Sequence, residues 1–248
     1  MIDVTTQMQM REMHIQEMLD IVNSQERVPE FLSMPFETRF QHVVSDFYSL
    51  KMKERNERLV KRARIKYTNV SVEDILYTPE RYLDRNMITQ LSTGNYISFA
   101  TNVAIYGPTR TGKTFIASVL ANISCRIGRS TFYVRMPDLL AEYACKETAR
   151  QKVRFINKME RFSLLVLDDW LSDTYSDSEL SFLFEVFEKR EGKGSTILCS
   201  QFSPITWRDR LGCSAKAESM LSRIMTGMCT IECKDLDITK LDCCKVKI

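Results

Sequence analysis

The sequence predicts an α/β fold, a five-stranded parallel sheet flanked by helices, preceded by a small all-helical region. Two observations carry this expectation. After Gly94, five short apolar runs alternate with helical stretches, the pattern of parallel βαβ units whose sheet is covered on both faces. Up to about residue 70 the chain holds no glycine, and its apolar residues recur at helical spacing. The expected division is a helical region at 1–70 and an α/β domain at 71–248.

The elements follow in order. A first helix is expected from Thr5 to Ser24, with Met10, Met13, Met18, Ile21 and Val22 on its apolar side. A second starts near Ser33, a suitable N-cap, with Pro35 tolerated in the first turn. Its apolar stripe runs Phe36, Phe40, Val43, Val44, Phe47, Leu50 and gives way to charge. A third starts near Thr78-Pro79 and ends by Gly94, a natural C-cap. The five strands are expected at NVAIY (102–106), STFYV (130–134), SLLVL (163–167), STILC (195–199) and CTIEC (229–233).

At 248 residues, 44% hydrophobic and 27% charged, the chain is long enough to bury a sizeable core and ordinary in composition. No apolar run approaches the ~20 residues that a membrane-spanning helix needs. The N-terminus mixes charge into its apolar residues and lacks the form of a signal peptide, so a cytoplasmic location is expected. Of the eight cysteines, Cys125, Cys145 and Cys199 fall in stretches that read as core elements. Cys229 and Cys233 sit on one expected strand, where positions four apart are separated by about 13 Å, too far to share one zinc. Together with Cys243 and Cys244 they read as thiols of a reducing compartment.

The net charge is +3, but Lys51–Lys66, KMKERNERLVKRARIK, is by itself +6. Such a strip fits a phosphate backbone. It fits equally a solvated helix face with internal pairs such as Glu54–Arg58 and Glu57–Lys61.

The strand NVAIY runs into GPTRTGKT and then into the helical FIASVLANISCRIG. This is G-x-x-x-x-G-K-[ST] between a strand and a helix, the context of a phosphate-binding loop. A triphosphate needs many donors in a small space. Inward-turned backbone N–H groups of Gly107, Pro108, Thr109, Arg110, Thr111, Gly112, Lys113 and Thr114 form such a loop (Pro108 contributing shape, since it lacks an N–H), and the next helix adds its positive end. Gly107 and Gly112 permit the tight path. Lys113 is expected to bridge the β- and γ-phosphates of ATP, and Thr114 to offer its hydroxyl to Mg²⁺. Arg110 occupies a free position of the motif and is read as outward-facing; a left-handed backbone there would cost roughly 1–2 kcal/mol.

The run SLLVLDDW ends in Asp168 and Asp169. In open parallel sheets the carboxyl ends of strands face the ligand crevice. Asp168 is therefore expected to hold Mg²⁺, and Asp169 to orient or deprotonate the attacking water. Trp170 reads as a packing residue.

With both motifs in place, the chain resembles IstB, the helper ATPase encoded beside the transposase in two-gene bacterial insertion sequences, an AAA+ protein of the DnaC-like branch. The matching segments are MREMHIQEM, PFETRFQHVVSDFYSLKMKERNERLVKRARIKY, LDRNMITQLSTGNYISFATNVAIYGPTRTGKTFIASVLANISCRIG, FYVRMPDLL, LLVLDDW, GSTILCSQFSPITWRDRLG, AESMLSRI and CTIECK. The resemblance implies a γ-phosphate sensor at the end of STILC, Gln201 or its neighbour Ser200. It implies an arginine finger at Arg223, acting on a neighbouring subunit's nucleotide and worth ~10³–10⁵ in rate; outside the resemblance Arg223 also fits a surface salt bridge. It implies an ATPase that forms a homo-oligomer with ATP between subunits, holds duplex DNA without much base reading, and recruits or activates a transposase. A DnaC-type helicase loader and a non-hydrolysing DNA scaffold are the rival readings. Arg110 stands where the family usually has Gly, Leu171 stands where Gly is common, and the tail LDITKLDCCKVKI does not look familiar.

Overall fold

The computed structural model describes residues 2–78, 81 and 83–234. The chain divides between Asn56 and Glu57 into two compact units.

The first unit is helical: α1 (Val4–Glu12), α2 (Gln16–Gln25), α3 (Pro29–Leu32) and the first part of α4 (Phe36–Arg62). The single helix expected from Thr5 to Ser24 is therefore two. His14 takes φ 57°, its N–H donates to the Arg11 carbonyl, and the Ile15 N–H reaches back to that of Met10. This is a left-handed helix stop of the kind glycine usually makes, here built on histidine, so no glycine marked it in the sequence. Ser33 closes α3 instead of opening α4: its hydroxyl donates to the Glu30 carbonyl at 2.8 Å. α4 starts after Pro35, whose carbonyl accepts the Arg39 N–H. The expected apolar stripe of α4 splits. Val43 is buried, whereas Phe36, Phe40, Val44 and Tyr48, four residues apart, are exposed, with the Phe36 and Phe40 rings stacked at 5.9 Å.

The second unit starts earlier than residue 71, for a packing reason. Ala63, Ile65, Val70 and Ile75 are buried in the same core as Ile88, Val103 and Ile116, and the Ala63 carbonyl accepts the Tyr133 N–H at 2.8 Å. After a short 3₁₀ turn come α5 (Arg85–Ser92) and α6 (Asn95–Ser98). The expected start of this helix at Thr78-Pro79 touches Pro79, outside the described residues; α5 begins at Arg85, where the Asp84 carboxylate accepts the N–H groups of Asn86 and Met87. Gly94, with φ 74°, closes it as expected.

The remaining elements are β1 (Val103–Tyr106), α7 (Lys113–Arg126), β2 (Thr131–Arg135), α8 (Met136–Ala144), α9 (Ala149–Glu160), β3 (Leu164–Trp170), α10 (Asp177–Arg190), β4 (Ser195–Ser200), α11 (Trp207–Leu211), α12 (Ala215–Met225) and β5 (Cys229–Glu232). All pairings are parallel and the strand order is β2-β3-β4-β1-β5. Alternation along β3 shows how the sheet is covered. Leu165 and Leu167 enter the core that holds Phe182 and Trp207, while Leu164 and Val166 enter the one that holds Ile116 and Leu120. Successive side chains point to opposite faces, and here both faces are apolar. Trp170 is fully buried, edge-on to Trp207 at 6.0 Å. Cys145 is exposed at the end of α8 instead of lying in a core; Cys243, Cys244 and the tail lie outside the described residues. No helix among the described residues is long and apolar enough to cross a membrane.

Candidate functional site

The five strands point their carboxyl ends to one edge of the sheet, and the loop Gly107–Thr114 leaves that edge from β1. Gly107 has φ 143°, and a Cβ on it would stand 1.9 Å from the Cys233 carbonyl oxygen, so the backbone approach requires glycine. Gly112, φ 88°, turns the chain into α7. Arg110 is exposed, as expected, and carries the left-handed backbone, φ 68°. The loop is braced from within and without. The Thr111 hydroxyl donates to the Pro108 carbonyl at 2.9 Å. The buried Arg81 guanidinium donates to the Thr111 carbonyl at 2.8 Å and to that of Leu76. The Lys113 ammonium donates to the carbonyls of Gly107 and Pro108 at 2.7 and 2.6 Å. Burial lowers the Lys113 pKa, an effect opposed by Cys233, Cys199 and the two aspartates nearby.

Asp168 and Asp169 lie on β3, one strand removed from β1 across β4. The β3–β4 register slips at this point: Leu167 pairs with Leu198, but Trp170 pairs with Ser200. β3 thus carries one extra residue, a bulge, and Asp169 within it has φ 58°. Bulges re-aim side chains, and here the acidic pair is re-aimed. Asp168 is buried and gathers three donors. The Thr114 hydroxyl lies 3.0 Å from Oδ2, the Tyr133 hydroxyl 2.6 Å from Oδ2, and the Asp169 N–H 3.1 Å from Oδ1. The loop's hydroxyl and the buried carboxylate are therefore in contact across 54 residues of sequence. Asp169 points elsewhere and is held by the Arg135 Nε at 2.8 Å. A hydroxyl beside a carboxylate is a hard-oxygen pair of the kind that suits Mg²⁺. The close backbone approach at Gly107 and the α7 N-terminus suit a phosphate chain.

Ser200 and Gln201 stand at the end of β4, between β1 and β3. The Ser200 hydroxyl is engaged by backbone: it donates to the Trp170 carbonyl at 2.8 Å and accepts the Phe202 N–H at 3.1 Å, pinning the bulged end of β3 to β4. Gln201 is exposed. Arg223 is not brought to this cluster. It lies at the end of α12, beside Ala100, Asn102, Gly192 and Gly194, which precede β1 and β4 at the opposite edge of the sheet. There it pairs with Glu191 at 3.0 Å and Glu188 at 3.9 Å.

The sequence reading missed Arg81, Tyr133 and Arg135, since no motif spacing marks them. It also missed a second cationic row. On α9 and its C-cap, Arg150, Arg154 and Arg161 are exposed and lie within about 40° of one another around the helix. Lys158 on α9 and Arg64 of the basic strip each sit 5.3 Å from the centre of the Phe132 ring, so the row and the end of the strip meet at the β2 edge.

Comparison with known proteins identifies the family of the chain. The profile of the family described as IstB-like ATP binding protein matches residues 8–239. A putative insertion sequence ATP-binding protein of Sinorhizobium fredii is 34% identical over 62% of this chain and 62% of its own length. The IS1162 putative ATP-binding protein of Pseudomonas fluorescens is 30% identical over 80% of this chain and 86% of its own. Among solved structures, that of DnaI superposes with a TM-score of 0.57, at 17% identity over 67% of this chain and 92% of that one, a likeness of fold.

Proposed function

The chain belongs to the IstB-like ATP-binding family, and from that premise we propose that it is an ATP-hydrolysing AAA+ helper of DNA transposition, cytoplasmic, which assembles on duplex DNA and recruits or activates a transposase. The contact of Thr114 with Asp168 carries the catalytic half of this reading, because it joins the phosphate loop to an acid on another strand. Lys113 supplies positive charge beside the phosphates. Thr114 and Asp168 would hold Mg²⁺, which would supply charge neutralisation to the phosphates. Asp169 takes the proton of the attacking water, and Gln201, with its side chain exposed at the same edge, senses the γ-phosphate. Ser200 acts by fixing the strand ends.

Three further observations support the assembly half. Arg223 stands at the sheet edge remote from its own loop, as a residue serving a neighbouring subunit would. The cationic row of α9 meets the basic strip at Phe132, giving a phosphate-seeking face. The relatives are named as insertion sequence proteins, which makes a transposase the natural protein partner.

The decisive experiment is duplex binding with and without ATP across a salt series. We expect tight binding that needs ATP and falls steeply with salt; binding indifferent to both overturns the proposal, as does stable capture of a hexameric replicative helicase in place of DNA. Lys113→Ala should abolish ATP binding. Asp169→Asn should keep ATP binding and assembly but stop turnover, and wild-type hydrolysis in that variant would remove Asp169 from the role of base.

A further inference from the structure

Tyr133 lies on β2, the edge strand, in a run that reads as plain core. Its ring is almost fully buried, 4% exposed. Yet its hydroxyl donates to the Asp168 Oδ2 at 2.6 Å. The residue is fixed from two other directions: its N–H donates to the Ala63 carbonyl, and it stands in register with Val166 of β3. The phenol cannot drift, so the carboxylate it holds cannot rotate freely.

Three donors reach Asp168, and they are not equivalent. The Thr114 hydroxyl is itself a proposed cation ligand, so it is part of the site and not an independent support for it. The Asp169 N–H comes from the bulge and touches Oδ1. Tyr133 alone among these three is a side chain outside both motifs. We propose that Tyr133 is a positioning residue for Asp168: its hydroxyl fixes the carboxylate in the orientation that holds a divalent cation, and so sets the cation affinity separately from nucleotide affinity. This rests on the reading of Thr114 and Asp168 as the cation ligands.

The test is Tyr133→Phe, which keeps the ring and removes the hydroxyl. Binding of a fluorescent ATP analogue is measured in EDTA and then across a Mg²⁺ titration, with Mn²⁺ affinity read by electron paramagnetic resonance. Partners that orient a metal ligand are typically worth 10–100-fold in metal affinity. We expect the Mg²⁺ and Mn²⁺ midpoints to rise by about that factor, with analogue affinity in EDTA unchanged. Unchanged midpoints overturn the proposal, as does an equal loss of analogue affinity in EDTA. Should Tyr133→Phe lower the melting temperature enough to confuse the comparison, the same substitution is made in an Asp168→Asn background. There it should shift the metal midpoints no further, because its target is gone; an additive shift would assign Tyr133 a general structural role. A wild-type protein that binds the analogue with no metal dependence refutes the underlying assignment of Thr114 and Asp168 instead, and so is told apart.

Discussion

Arg110 and Leu171 share an unusual backbone: both have positive φ, 68° and 61°. Their energetics nevertheless differ. Arg110 is exposed, so Arg110→Gly removes a left-handed penalty of ~1–2 kcal/mol against an entropic cost of ~0.5–1 kcal/mol. The net is a stabilisation of about 0.5–1 kcal/mol, or roughly 2 °C in Tm for a chain of this size. Leu171 is fully buried in the core with Trp170 and Phe182. Leu171→Gly relieves the same strain but gives up a buried leucine, worth ~2–5 kcal/mol on truncation. Thermal melts should therefore move in opposite directions for the two substitutions. If both raise Tm, the side chain of Leu171 contributes less than its burial implies; if both lower it, the contacts of the Arg110 side chain outweigh the strain of its backbone.

At the level of elements, the α9 row makes a quantitative prediction. Arg150, Arg154 and Arg161, replaced together by Gln, should lower the slope of log K against log salt for duplex binding by about 2.7, since each phosphate left without its arginine takes away about 0.9. The weakening should be uniform across duplex sequences, because phosphate contacts carry no base information. An unchanged slope would remove α9 from the DNA-facing surface and leave the strip to act without it. What sequence could reveal divides along similar lines. The five strands, the phosphate loop and the acidic pair were legible because each is written in a few neighbouring residues. The extent of α4 and its loss of an apolar face were not, since Phe36, Phe40 and Val44 match a helical stripe whether or not anything covers them. The bulge that aims Asp168 depends on pairing between β3 and β4. Tyr133 and Arg135 meet the aspartates only once strand order puts β2 beside β3, some 35 residues apart in the chain. The helix stop at His14 used a residue that carries no stop signal.

At the scale of the whole molecule, the separation of Arg223 from the loop sets what the proposed assembly requires. Within one chain the two lie at opposite edges of one sheet, and Arg223 is held by Glu191 and Glu188. The glutamates are half exposed, but the Arg223 side chain is only 25% exposed and also donates to the Ser219 carbonyl at 3.0 Å, so a neighbour's phosphate has to displace these contacts to engage the guanidinium. A head-to-tail interface then places each loop opposite the next subunit's arginine. The prediction is complementation. Asp169→Asn subunits still bind ATP and assemble but cannot turn over at their own loop, and they keep the arginine; Arg223→Ala subunits keep a sound loop but lack the arginine. Each preparation should hydrolyse ATP poorly by itself. Mixed in equal amounts and allowed to exchange, about one quarter of the head-to-tail interfaces should pair a sound loop with a sound arginine. Steady-state phosphate release should rise to roughly that fraction of wild type. An arginine acting within its own chain, or serving as a surface ion pair, cannot be rescued by mixing. Activity that remains at the sum of the two variants would therefore show that Arg223 is no finger, while leaving the loop and the acidic pair untouched.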